Sequence, residues 1–215
     1  MMPTLVCFAV KEEARYFLRK AGSRSDIRTL ITGMGEANAR ISVESALARQ
    51  RPGRVITAGF AGGLDPSLER GAVVFFADDT ADLEGALRAA GARAVQFACS
   101  NKVVSTASEK QRLFARTGAH AVEMESGPIQ KLCRAAGIPA ATIRVILDTA
   151  AENLAFDFNE LMTPDMRLDA SKLGWALAKA PWKIPALLRL QRQSSGAARR
   201  LGEVLEKVLL GSVRK

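Results

Sequence analysis

Seven short apolar runs punctuate the chain: Leu5 to Val10, Arg28 to Thr32, Arg54 to Ala58, Ala72 to Phe76, Ala94 to Ala98, His120 to Glu123 and Ala140 to Leu147. Between them, apolar residues recur every three or four positions around Glu12 to Lys20, Glu36 to Gln50, Ser108 to Thr117 and Gly127 to Ala136. Runs of the first kind read as strands and segments of the second as helices. Their alternation predicts an α/β chain with a central mixed sheet covered by helices on both faces, a three-layer α/β/α fold. The run from Ala140 to Leu147 is introduced by Gly137-Ile138-Pro139 and broken by one charge, Arg144. It therefore predicts a strand buried on both sides, with Asp148 at its carboxyl end. In open α/β sheets that edge is where ligands bind, although a helix-cap or turn aspartate reads the same way from position alone.

After Pro164 the pattern changes. Leu168 to Ala180, Ile184 to Leu190 and Ala197 to Leu210 are rich in Leu, Ala and basic residues at helical spacing, with Pro181-Trp182-Lys183 between the first two. The prediction is a main domain over 1–168 and a basic helical C-terminal extension over 169–215 packed on it. Trp175, Trp182, Leu187, Leu188 and Leu190 fit packing on that domain, an oligomer contact, or a membrane interface where Arg189, Arg192, Arg199 and Arg200 meet phosphates. Packing is the simplest of the three.

Charge sharpens this division. The chain carries a net +9 over 215 residues, yet Lys172 to Lys215 alone hold ten Lys or Arg against two Glu, so the basicity belongs to the tail. Aromatic residues are only 6% and no nucleic-acid motif accompanies the charge, so nucleic acid is not an expected partner. A membrane-surface or acidic partner fits the tail better. Cys7, Cys99 and Cys133 are widely spaced in apolar surroundings, which points to a reducing cytoplasm and to neither a disulfide framework nor a metal site. The apolar stretch at the N-terminus is too short for a signal peptide or a membrane span and reads as the first strand.

Four blocks suggest chemistry: Gly33-Met34-Gly35-Glu36-Ala37-Asn38-Ala39, Ala58-Gly59-Phe60-Ala61-Gly62-Gly63-Leu64, Val122-Glu123-Met124-Glu125, and Arg144-Val145-Ile146-Leu147-Asp148. Gly33 and Gly35 follow a strand and open a helix, where backbone N–H groups can form an anion-binding turn, though a plain tight turn reads the same. Glu123 and Arg144 fall on buried strands and are expected to pair, because an unpaired charge there is costly. His120, the one histidine, stands at a strand start and reads as structural.

In order and approximate spacing these blocks resemble the nucleoside phosphorylase and methylthioadenosine/S-adenosylhomocysteine nucleosidase superfamily, over roughly residues 5 to 162. A shorter stretch, Lys179 to Ser195, resembles the hopanoid-associated phosphorylase subgroup. The resemblance implies a nucleoside phosphorylase-like fold, a nucleoside substrate, a homo-oligomer, no cofactor beyond phosphate as co-substrate, and cleavage of an N-glycosidic bond. It implies Asp148 as the acid serving N7 of adenine, Glu125 as acceptor for both ribose hydroxyls, and Met124 beneath the sugar. It further implies Val103 and Val104 at the adenine edge through their backbone, and Phe156 closing the 5′ side. Glu13 matches the carboxylate that activates water in the nucleosidase branch, implying hydrolysis. The hopanoid-associated likeness implies phosphate held by Gly33, Gly35 and the Gly59 to Gly63 turn, Gly62 among its residues. Phosphorolysis of an adenosylhopane-like nucleoside is the leading expectation, with a hydrolytic nucleosidase and a non-catalytic nucleoside-binding protein beside it. Two positions depart from the nucleosidase pattern: Phe60 replaces a small hydroxyl residue in the nucleophile pocket, and Leu147 replaces the Ser before the acid.

Overall fold

The computed structural model describes residues 2–22 and 24–211. Eight strands form one mixed sheet: β1 (Thr4–Phe8), β2 (Ile27–Ile31), β3 (Arg54–Gly63), β4 (Val73–Ala77), β5 (Arg93–Ala94), β6 (Phe97–Cys99), β7 (Ala121–Glu123) and β8 (Ala140–Asp148). The main path runs β2-β1-β3-β8-β4-β5, and β7 pairs with both β6 and the end of β3. Neighbours along β2-β1-β3-β8 are parallel, whereas β4 runs antiparallel to β8 and β7 antiparallel to β3. Burial on both faces follows from simple alternation in β1: Val6 and Phe8 enter one core with Phe17 and Leu201, while Leu5 and Cys7 enter another with Val43 and Ile129.

The helices are α1 (Lys11–Ala21), α2 (Glu36–Arg49), α3 (Glu84–Ala89), α4 (Ala107–Thr117), α5 (Ser126–Ala135), α6 (Phe158–Leu161), α7 (Ala170–Lys179) and α8 (Ile184–Leu205), the last continuing as a wider turn to Leu210. Three sequence expectations change. The strand expected at Ala94 to Ala98 divides into β5 and β6, which pair with different partners, β4 and β7. Gly59 to Gly63 is not a turn: β3 runs straight through it, with a register irregularity between Ala61 and Gly62 where it passes the end of β8. The two expected tail helices at Ile184 and Ala197 are one, because Ser194, Ser195 and Gly196 leave the helical hydrogen bonds unbroken.

The tail is not uniform. Ala197, Leu201, Val204, Leu205 and Val208 are buried in the same core as Phe8 and Ile56, so the far half of α8 is a layer of the main domain. Close packing against α1 demands a glycine at 202, where a Cβ would lie 2.8 Å from the Cβ of Tyr16. By contrast, α7 buries no residue at all, and Trp175 and Trp182 are 64% and 73% exposed.

Candidate active site

The longest strands, β3 and β8, end together, and their last residues line a cavity of about 490 Å³ with Met34, Met124 and Glu125. That size is typical of a small-molecule site. Phe60, Ala61 and Gly62 come from β3, and Leu147 and Asp148 from β8. Val103, Val104, Leu154, Phe158 and Met162 supply further apolar wall, and α8 adds Leu187 and Leu190.

Asp148 is buried, and desolvation pushes its carboxyl above the usual range, opposed by the Lys110 ammonium. The close fit of Gly62 shapes this corner, since a Cβ there would lie 3.3 Å from both Asp148 Oδ2 and Val122 Cγ1. Lys110 was not singled out by sequence reasoning. Its signal was present, because Lys110, Leu113 and Phe114 share one helical face and the two apolar members pack inward.

Glu123 and Arg144 pair as expected, Arg144 Nη2 lying 2.6 Å from Glu123 Oε2 with both groups buried. Burial pushes Glu123 up, but Arg144 and the Ser126 donors outweigh it and leave the carboxylate below its usual range. The Ser126 N–H and the Glu125 N–H donate to Glu123 Oε2 at 2.8 and 3.0 Å, and the Ser126 hydroxyl donates to Oε1 at 2.7 Å. Glu123 thus fixes the start of α5, and with it Glu125. Glu125 lies farther from the guanidinium, 3.6 Å from Arg144 Nη2, and accepts from the Gly35 N–H at 2.9 Å. Burial drives its carboxyl up to about 7, with Arg144 opposing and the Glu123 charge adding.

Glu13 sits in the first turn of α1 and reaches back over it. The Ala9 and Val10 N–H groups donate to Oε2 at 3.0 and 3.3 Å, and the Phe60 N–H donates to Oε1 at 2.9 Å. Three of the roughly four acceptor positions of a carboxylate are therefore used and one is left. Burial raises its carboxyl above the ordinary range, with Arg144 opposing. The carboxylate lies directly on β3: a Cβ at Gly59 would stand 2.5 Å from Glu13 Oε1.

The structure brings Asp148, Glu13, Glu125, Met124, Phe60, Gly62, Val103 and Val104 to one cavity, and it corrects three expectations. First, the amides expected to hold phosphate are engaged: Gly33 N–H donates to the Ala9 carbonyl at 3.1 Å and Gly35 N–H to Glu125. Both glycines have positive φ, 84° and 86°, which turns the chain sharply into α2. Second, Phe156 is buried behind the wall, with Lys183 Nζ 5.1 Å from its ring centroid, and the neighbouring Phe158 faces the cavity instead. Third, the Val103 backbone expected at the adenine edge is bonded to a side-chain amide. Its N–H donates to Asn159 Oδ1 and its carbonyl accepts from Asn159 Nδ2, both at 2.9 Å. Among the described residues no cluster of side chains is disposed to hold a metal ion. His120 Nδ1 accepts the Gln96 N–H at 3.2 Å beside the β6–β7 pairing, a structural role.

Residues 80–179 match the family described as the phosphorylase superfamily. Solved structures similar to this chain include futalosine hydrolase of Helicobacter pylori, with a TM-score of 0.72 and 15% identity over 98% of both chains. Campylobacter jejuni 5′-methylthioadenosine/S-adenosylhomocysteine nucleosidase gives a TM-score of 0.66 and 16% identity, covering 96% of this chain and 100% of that one. The Colwellia psychrerythraea nucleosidase, solved in complex with adenine, gives 0.67 and 15% over 96% of both. These structures share the fold, the three-layer α/β/α arrangement with a mixed sheet. The family match and the shared fold point the same way as the cavity at the ends of β3 and β8.

Proposed function

We propose that the protein hydrolyses the N-glycosidic bond of a purine nucleoside carrying an apolar 5′ substituent. The observation that carries this reading is the disposition of Asp148, Glu125 and Glu13 around one apolar cavity, with burial raising the carboxyl of the first above its usual range. As the bond between sugar and base breaks, its electron pair leaves with the base, and Asp148 supplies the proton that neutralises it. Such an acid contributes about 10²–10⁴-fold. Glu125, with two oxygens on a fixed backbone, accepts from the ribose hydroxyls, and Met124 lies against the sugar. The remaining acceptor position of Glu13 holds a water and takes its proton as the oxygen adds to the sugar carbon. Water is favoured over phosphate because the Gly33 and Gly35 amides are already engaged.

Leu154, Met162, Leu168, Leu187 and Leu190 support a hydrocarbon at the 5′ position, of which an adenosylhopane-like nucleoside is the extended case. Adenine release from methylthioadenosine and from adenosylhopane, followed by chromatography with and without phosphate, tests the reading. Release independent of phosphate is expected. A sugar 1-phosphate product would assign phosphorolysis instead, and no release from either nucleoside would discard both.

We further propose that α7 and the start of α8 rest on an anionic lipid surface. Exposed Trp175, Trp182, Ile184 and Leu188 share this region with Lys172, Lys179, Lys183, Arg189 and Arg192. No acidic residue lies between Asp169 and Glu203, so two copies meeting through this face would repel. Each Lys or Arg at such a surface contributes about 1 kcal/mol. Among the described residues no helix is long and apolar enough to cross a membrane, so the contact is peripheral. Sedimentation with phosphatidylserine vesicles should pull down the protein at low salt and release it at high salt; equal partitioning with neutral vesicles would remove this role.

A further inference from the structure

Lys110 is fully buried on α4, and its ammonium is held by three oxygens. It donates to the Thr149 carbonyl at 2.7 Å and the Glu152 carbonyl at 2.8 Å, and it forms an ion pair with Asp148 Oδ2. Of the three N–H donors of an ammonium, two go to these carbonyls, and the ion pair sets the cation against the carboxyl. Nothing in the hydrolysis outlined above uses it. A lysine is seldom buried without such pairing, because desolvating the charge costs several kcal/mol.

Resting on the proposed nucleosidase reading, we infer that Lys110 is a positioning residue: it orients Asp148 and provides a fixed countercharge for the carboxylate formed when Asp148 gives its proton to the departing base. In the protonated form that donates to the base, Asp148 is neutral and gains less from the ammonium than the carboxylate of the ion pair does. After transfer the proton is on the base nitrogen, Asp148 is negative, and the Lys110 protons have not moved. The attraction therefore grows as the reaction proceeds, which is the condition for accelerating a step rather than only binding substrate. The cation also opposes the desolvation that raises the Asp148 carboxyl. The other charges facing this carboxyl are Glu152 and Arg70, which form an ion pair with each other at the surface and largely cancel.

The test compares wild type with Lys110→Met and Lys110→Gln, using methylthioadenosine and kcat measured from pH 5 to 10. Gln keeps N–H donors for the Thr149 and Glu152 carbonyls, so it serves if Met does not fold, and thermal melting establishes which variants are folded. In a folded neutral variant kcat falls about 10²-fold or more, KM changes little, and the alkaline limb of kcat moves to higher pH because Asp148 loses its countercharge. An unmoved limb, or equal losses in kcat and affinity with a lowered melting temperature, would assign Lys110 to holding the Thr149–Glu152 segment and overturn the inference. Failure of the nucleosidase reading looks different: wild type itself releases no base.

Discussion

Glu125 gives the sharpest test, because its two roles pull in opposite directions. Moving its carboxyl from an ordinary 4.5 to about 7 costs the charged form about 3 kcal/mol in the folded protein. For a carboxyl whose folded value is raised, the associated stability is fully present below 4.5 and is lost as pH climbs through about 7. Replacement by Gln imitates the protonated acid, and its carbonyl still accepts from the Gly35 N–H. Glu125→Gln should therefore lie within about 1 kcal/mol of wild type near pH 5 and exceed it by up to about 3 kcal/mol at pH 8, or roughly 6–12 °C in Tm for a chain of this size. Substrate binding should respond the other way. The ribose hydroxyls need the ionised form, so wild-type KM for methylthioadenosine should rise about 100-fold from pH 9 to pH 5, while the Gln variant shows a weak and nearly flat KM. Urea denaturation at pH 5 and pH 8, with steady-state kinetics across the same range, measures both. A Gln variant less stable than wild type at pH 8 would refute the reasoning, since it would mean that Arg144 outweighs desolvation at this carboxyl.

Arg144→Met strips the cation from Glu123, Glu125 and Glu13 and should cost about 3–5 kcal/mol, read by denaturation; a loss below 1 kcal/mol would deny that these buried carboxylates depend on it. Asp148→Asn should leave nucleoside affinity near wild type and lower kcat about 10²–10⁴-fold, and undiminished base release would remove Asp148 as the acid. Asn159→Ala frees the Val103 N–H and carbonyl, so adenine should bind several-fold tighter by calorimetry; weaker binding would mean that the base uses other groups.

The main chain of events was legible wherever a single period dominated. The apolar run ending at Asp148 became β8 because its only charge, Arg144, has a partner in Glu123. Glu125 and Met124 came from the resemblance alone, and the structure places both at the cavity. Residues 94–98 were misread because a run that short has no period of its own, and two partners divide it. The resemblance points to Phe156, yet of two aromatics two residues apart in an irregular segment it is Phe158 that lines the cavity, while Phe156 is buried beneath the Lys183 ammonium. The phosphate turn failed on hydrogen bonding, which spacing cannot reveal, since Glu125 comes from 90 residues away to take the Gly35 amide. Lys110 was readable from helical spacing, but its partner Asp148 lies 38 positions onward, and no local pattern joins them.

Because the Glu13 carboxylate occupies the space where a Cβ at 59 would stand, the two positions are locked together across 46 residues of chain. A mutation that gives position 59 any side chain must first evict the acid, and a chain that has lost the acid no longer needs the glycine. Change at either site is therefore a paired event, and in divergent copies of this protein a bulkier residue at 59 would mark a cavity that has lost the carboxylate at 13.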